Sequence, residues 1–347
     1  MKVKDITIIG GGPAGLYAAF YAGMRDLSVR IIETKKTLGG KVHFYPEKMI
    51  WDVGGIPAAL GAELIDQMVE QGMTFNPEVI LGQKVTTFTQ VEQGGFKVIT
   101  ADGHQYFSKR IIIATGGGLF NPKRLPLTYN ARFEETNLHH SVYRRSHFRN
   151  KKVVIVGGGN TAVDWANELL GIAKEIHLIH RNESFKAYEA ATRQLAASRA
   201  KIYTHTLVKE LIPNITGDRV RAIKMRKSKS NQDEHLELDE LIVNIGFDNE
   251  LNFHHDPKLR FNLKEDYYIE GTAKAETAVE GVYAIGDILD FDGKVRLIAG
   301  AYSDAANAVN QIKRSLDPKA AEKAQVSSHN HRFNQKNEEK RSRLFEE

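Results

Sequence analysis

The chain has 347 residues, 41% of them hydrophobic, enough to build two domains with substantial cores, and no stretch approaches the roughly 20 consecutive apolar residues needed to cross a bilayer. It contains no cysteine, which excludes disulfides, thiolate catalysis, thiolate zinc sites and a Cys-x-x-Cys redox centre, so any electrons it handles pass through a bound cofactor. Its 48 basic and 43 acidic side chains give a net charge of +5, which favours acidic partners, but no basic run interleaved with aromatics points to nucleic acid; no membrane association is expected, and the default location is cytoplasmic.

The first unit opens with an apolar strand over 4–9, the glycine-rich turn Gly10-Gly11-Gly12-Pro13-Ala14-Gly15, a helix over 13–24 and a strand over 28–33 that ends in Glu33, 23 residues after Gly10. This is the length and order of a Rossmann βαβ unit, in which the first glycine makes the tight turn, the second admits a pyrophosphate and the third lets helix and strand pack closely. The phosphates then face a helix N-terminus, where unpaired N–H groups and the helix dipole favour anions. An acidic residue at the end of the second strand accepts hydrogen bonds from a ribose and repels a 2′-phosphate, so Glu33 suits FAD or NAD rather than NADP.

Alternating apolar segments follow over 85–91, beginning at Val85, 95–100 and 104–108, separated by Gly94-Gly95 and Asp102-Gly103. They predict an antiparallel excursion that returns to the buried strand Ile111-Ile112-Ile113-Ala114 and its terminus Thr115-Gly116.

The second unit repeats the programme 147 residues on: a strand over 152–156, the turn Gly157-Gly158-Gly159-Asn160-Thr161-Ala162, a helix over 161–170 and a strand over 175–180. That strand ends in His180-Arg181, with Lys186 one turn beyond. Cations there pair with a 2′-phosphate, which favours NADP; the plainer reading of Arg181 and Lys186 is surface charge. A hairpin around 218–238 with a basic tip and a strand over 241–243 complete the unit. The segment Val282-Tyr283-Ala284-Ile285-Gly286-Asp287 then returns to the first domain, followed by a helical run over 297–314 and a polar, partly disordered tail from about 318. The fold class is α/β: two Rossmann-like dinucleotide-binding domains, each a parallel sheet with an antiparallel β excursion. The adjacent pairs His139-His140 and His254-His255 lack metal-ligand spacing, so no metal is expected.

These motifs, with Leu38-Gly39-Gly40, Tyr45-Pro46-Glu47-Lys48, Ile113-Ala114-Thr115-Gly116 and Ala284-Ile285-Gly286-Asp287, resemble the two-dinucleotide-domain flavoproteins over about residues 4–330. The resemblance is strongest to the ferredoxin–NADP reductases of the thioredoxin-reductase-like type. It implies an FAD domain of residues 1–117 and 281–347, an NADPH domain of residues 118–280, and a hinge formed by linkers near 116–122 and 278–284. It further implies a homodimer, and an electron carrier, ferredoxin or flavodoxin, as the partner. Tyr45 is expected to stack on one face of the flavin, against the alternative of a core aromatic. The histidine of the C-terminal extension that stacks on the other face maps to His329, with His331 as the alternative. Gly40, Lys41, Val85, Thr115, Gly116 and Asp287 are expected at the cofactor. The helix beginning near Leu297 and the charge of Arg296 are expected near the reduced flavin.

The family's His-Arg-Arg and later Arg are here His180-Arg181-Asn182 and Lys186, which implies a reduced preference for NADPH over NADH, because Arg binds phosphate with a bidentate fork and Lys as a point charge. The alternatives left open are an NAD(P)H diaphorase or quinone reductase, and a non-catalytic flavin-binding module.

Overall fold

The structure, a computed structural model, describes residues 2–92, 94–118, 121–248 and 259–345. The pair His254-His255 and part of the first expected linker lie outside the described residues. The described helices are α1 (Pro13–Met24), α2 (Gly61–Gly72), α3 (Arg132–Thr136), α4 (Asn160–Leu169), α5 (Glu189–Ala196), α6 (Ile298–Leu316) and α7 (Asn334–Phe345).

Two compact units emerge, one of residues 1–43, 48–119 and 249–347, the other of residues 44–47 and 120–248. In the first unit the parallel strands Glu78–Leu81, Val29–Glu33, Lys4–Ile9 and Gln105–Ile113 lie side by side in that order. Their central residues are fully apolar and buried, as a sheet covered on both faces requires: Ile6, Ile8, Ile31, Ile111, Ile112 and Ile113 are each 0% exposed. The antiparallel strands Phe96–Thr100 and Val85–Gln90 extend the sheet.

Here the structure differs from the sequence expectation in one respect. The segments 104–108 and 111–113 are a single nine-residue strand, Gln105–Ile113. Along one edge its first half pairs antiparallel with Phe96–Thr100 and its second half pairs parallel with Val282–Ala284. A change of partner along one edge gives a change of burial pattern, which in sequence reads as two strands.

The second unit is a five-stranded parallel sheet in the order Leu138–His139, Glu240–Asn244, Lys152–Gly157, Glu175–Ile179 and Lys201–Tyr203. The expected hairpin is a three-stranded antiparallel sheet, Thr206–Pro213, Val220–Lys227 and Asp233–Glu237. Its inward residues Leu211, Ile223 and Met225 join Val154, Val156 and Leu241 in one core.

The second boundary between the units also falls earlier than the sequence reading placed it. The described residues 259–280 group with the first unit. The physical reason is a small sheet in which Leu263–Lys264 pairs with Tyr268–Glu270, and Tyr268–Glu270 pairs in parallel with Leu289–Asp290. The tail is not irregular either: after two short 3-10 turns it ends in α7. It is anchored by Asn330, 3% exposed, whose Nδ2 donates to the Met24 carbonyl at 2.9 Å, and by Phe333 against Phe20 and Phe75.

Candidate functional site

In the first unit the chain leaves the Lys4–Ile9 strand at Gly10, whose N–H donates to the Ile32 carbonyl at 2.9 Å, and enters α1 with Gly12 as the N-cap and Pro13 in the first turn. A Cβ on Gly15 would stand 2.1 Å from the Gly10 carbonyl oxygen, so only glycine permits this approach of helix to turn. Gly12 is different: a Cβ there would meet only the Cα of Gly40, at 3.6 Å. The N-terminus of α1 has no side-chain cap, which leaves its first-turn N–H groups for an anion.

Glu33 lies at the end of the Val29–Glu33 strand, 8% exposed, and is held from two sides: Oε2 accepts the Gly11 N–H at 2.7 Å and Oε1 the Lys35 N–H at 2.8 Å. Val85 begins the Val85–Gln90 strand two residues after Gln83, whose N–H donates to the Glu33 carbonyl at 3.0 Å. Thr115 and Gly116 close the central strand. The Thr115 Oγ1 is buried without a hydrogen-bond partner among the described residues, and the Gly116 carbonyl accepts the Tyr267 hydroxyl at 3.0 Å. Asp287 pairs with Lys41. The open glycine, the uncapped helix and the orphaned hydroxyl fit a dinucleotide.

Two expected residues, Arg296 and His329, are placed differently. Arg296 does not stand free near α6: its guanidinium pairs with Asp290, which Lys264 also binds, and lies 4.7 Å over the Tyr268 ring. Leu297 is the N-cap of α6, 47% exposed and without a side-chain cap bond.

His329 is not brought to the first cradle of its own chain. It precedes Asn330, which is tied to Met24 at the far end of α1. Twelve helical residues, about 18 Å, separate that anchor from the glycine turn. His331 follows the same anchor and shares that position. Tyr45 is half-buried in the segment 44–47 that groups with the second unit, where the Phe44 ring lies 6.3 Å from Phe247 and Glu47 accepts the Arg145 N–H at 2.7 Å.

The second cradle has the same plan with different packing. Gly157 ends the Lys152–Gly157 strand in register with Asn244, Gly159 caps α4, and a Cβ on Gly159 would meet nothing within 4 Å. Asn160 accepts the Tyr188 N–H at 2.9 Å, Thr161 is exposed in the first turn, and Ala162 is fully buried.

His180 takes the place that Glu33 has in the first unit, but as packing rather than as a cation. It is 8% exposed, its ring lies 2.1 Å from where a Cβ on Gly158 would stand, it stacks on Phe185 at 5.2 Å, and Nε2 faces the Ser184 carbonyl at 3.1 Å. Burial pushes its imidazole below the ordinary 6.5. The charges that remain available are Arg181 and Lys186, both exposed and without an ion pair among the described residues. Lys186 is fixed beside the turn because its N–H donates to the Gly158 carbonyl at 2.7 Å.

Two features carried no signal in the sequence. Asn244, at the carboxyl end of the Glu240–Asn244 strand, has its Oδ1 buried without a partner among the described residues and donates Nδ2 to the His140 carbonyl at 2.9 Å. At the opposite end of the same strand Glu240 is fully buried among His139 at 2.6 Å, His147 at 3.1 Å, Lys151 at 2.6 Å and Arg219 at 3.4 Å. Burial pushes the Glu240 carboxyl up, but hydrogen bonds from His139 and Lys151, with His147 adding to them, outweigh it and hold the group at about 2. His139, His147 and Glu240 are close enough to ligate a metal, yet the Lys151 ammonium already lies against Glu240 and 3.3 Å from the His147 Nε2. The cluster is a buried ion-pair network.

Comparison with known proteins agrees with this geometry. The family model for pyridine nucleotide-disulphide oxidoreductase matches residues 4–311. A ferredoxin–NADP reductase 1 of Bacillus licheniformis is 44% identical over 344 residues, 99% of each chain, and one of Oceanobacillus iheyensis is 44% identical over 339 residues, 97% of each. Among solved structures, the thioredoxin reductase of T. acidophilum superposes with a TM-score of 0.75 at 23% identity, covering 91% of this chain and 99% of that one. The bacillithiol disulfide reductase of Staphylococcus aureus does so at 0.69 and 17%, covering 92% and 100%. At such identities the structural likeness concerns the fold. The chain belongs to the pyridine nucleotide-disulphide oxidoreductase family, on the branch of its ferredoxin–NADP reductase relatives.

Proposed function

We propose that this chain is an FAD-dependent ferredoxin–NADP reductase that takes reducing equivalents from NADPH and passes them singly to ferredoxin or flavodoxin in the cytoplasm. The observation that carries the reading is the pair of uncapped phosphate cradles, one ending at a buried carboxylate and the other flanked by exposed cations, in a chain without cysteine. The first suits FAD and the second NADPH, and the relatives at 44% identity bear the corresponding name. When bound, FAD supplies the conversion of a two-electron hydride donor to one-electron output.

The protein's own groups do the rest. Glu33 would accept the ribose hydroxyls, the N–H groups at Gly12 and Gly159 would hold the two pyrophosphates, and Arg181 with Lys186 would hold the 2′-phosphate. Asp287 and Lys41 would border the flavin side, with Tyr45 stacking on the ring. Because His329 lies about 18 Å along α1 from the turn of its own chain, we assign the second stacking ring to His329 of a second copy, which makes the working unit a homodimer.

The test is NADPH-driven cytochrome c reduction with and without ferredoxin or flavodoxin across a salt titration. Strong stimulation that weakens with salt is expected for a chain of net charge +5 and an acidic carrier. Rapid turnover of quinones and dyes without any response to either carrier would replace this reading with that of a diaphorase. Absence of flavin bleaching by NADPH would point to a non-catalytic flavin module.

A further inference from the structure

The turn after Val282–Ala284 is held by a pair of buried charges that no motif marks. Asp304 lies on α6, 4% exposed, and its Oδ2 accepts both the Gly286 N–H, at 2.9 Å, and the Lys294 ammonium. The Lys294 side chain is 2% exposed and lies 5.6 Å from the Phe291 ring. Its loop folds back on α6 so closely that a Cβ on Gly300 would stand 2.1 Å from the Val295 carbonyl oxygen.

Gly286 itself has φ +73°, and a Cβ there would stand 3.0 Å from the Ala14 Cβ. The turn is thus clamped between the first turn of α1 and Asp304. The contacts then close a ring. Asp287 pairs with Lys41, Lys41 follows Gly40, and a Cβ on Gly40 would stand 2.8 Å from the Cα of Gly12 in the phosphate cradle.

Stability is a poor reason for such a pair. Burying two charges costs several kcal/mol of desolvation, and apolar replacements of buried pairs are often neutral or stabilising. A fixed acceptor for one N–H in a left-handed turn is a better reason. Burial pushes the Asp304 carboxyl above the ordinary range, and the nearby charge of Asp287 adds to that push, which places the two carboxylates within electrostatic reach of each other.

We propose that Asp304, oriented by Lys294, is a positioning residue for FAD: by accepting the Gly286 N–H it sets the Gly286–Asp287 turn against the N-terminus of α1, so that Asp287 and Lys41 border the phosphate cradle. The inference rests on the reading of the first cradle as the FAD site. It assigns the role to the acceptor atom and makes the ion pair the means of holding that atom in place.

The experiment uses the full chain and compares three double variants with the wild type, reading the FAD dissociation constant from flavin fluorescence and the binding of 2′,5′-ADP at the second cradle. Asp304→Asn with Lys294→Met removes both charges and keeps an acceptor; FAD affinity within about threefold of the wild type is expected. Asp304→Leu with Lys294→Met removes the acceptor too, and the exchange of Asp304→Lys with Lys294→Asp keeps a pair but removes the acceptor from α6. Both are expected to weaken FAD at least about tenfold while leaving 2′,5′-ADP binding unchanged, a shift of about 1.4 kcal/mol. Equal FAD affinity in all three, or recovery in the exchange variant, would overturn the proposal. If the acceptor-free variants do not fold, Lys294→Met alone replaces them: an FAD affinity lost about tenfold in Lys294→Met and restored in the Asn/Met variant supports the proposal, and wild-type affinity in Lys294→Met overturns it. Failure of the FAD reading looks different, since the wild-type chain would then release no flavin on denaturation.

Discussion

The two phosphate cradles share a plan and differ in how the middle glycine meets the end of the second strand. In the first, the Gly11 N–H donates to Glu33 at 2.7 Å; in the second, the His180 ring packs where a Cβ of Gly158 would be, 2.1 Å away. A carboxylate on a backbone N–H is a polar support that also excludes a 2′-phosphate. A neutral imidazole is a spacer that leaves the charge to its neighbours Arg181 and Lys186. The same backbone turn is thus supported in two ways, by a hydrogen-bonded carboxylate in one unit and by a packed ring in the other, and the local electrostatics differ accordingly.

The largest expected effect tests the packing half of that contrast. Gly15→Ala drives a Cβ to 2.1 Å from the Gly10 carbonyl oxygen and should cost about 4 kcal/mol and most of the bound flavin. The equivalent position of the second cradle is already alanine, so Ala162→Gly should cost only about 1 kcal/mol, as a glycine in a helix does. Thermal unfolding and flavin content report both. Wild-type stability in Gly15→Ala would mean that close packing does not distinguish the cradles.

Acidification should separate the units next. Glu240, held at about 2 in the folded chain against an ordinary 4.5, contributes stability that is present above 4.5 and is lost as pH falls toward 2. Over that span the loss is about 3 kcal/mol. His180 acts in the same direction at higher pH. Its folded imidazole lies below 6.5, so the unfolded chain binds the proton first and stability falls as pH drops through that range. In a urea titration across pH, Glu240→Gln should remove the lower part of the slope and His180→Phe the upper part. A Glu240→Gln profile parallel to the wild type would show that the buried network carries no pH dependence.

An effect smaller than that of acidification concerns selectivity. Arg181→Ala should raise the NADPH Michaelis constant about tenfold and the NADH constant no more than about twofold, because one charge-assisted phosphate contact is lost and Lys186 remains. Equal changes with both nucleotides would mean that Arg181 does not read the 2′-phosphate.

Local signals made much of this legible. Both glycine turns, the helices α1 and α4, and Glu33 at its strand end all depend on neighbours within a βαβ unit, where spacing and periodicity are informative, and α6 shows in its own helical period. The boundary near residue 249 was not legible. The strands that draw residues 263–270 to the first unit are two and three residues long, too short to show a period, and only the second of them, Tyr268–Glu270, pairs with Leu289–Asp290. Arg296 reads in sequence as a free cation, and only the fold reveals Asp290 and Tyr268 beside it.

What the sequence alone determined is the kind of protein: two dinucleotide units, opposite charge at their strand ends, and redox chemistry without thiols. The tertiary structure decided which groups are available. It buried His180 and left Arg181 open, tied Asp304 to Gly286, and anchored the tail so that His329 lies at the far end of its own α1. The physical reason is range. Turn and helix preferences act over a few residues, whereas burial and ion pairing depend on what a distant segment brings alongside.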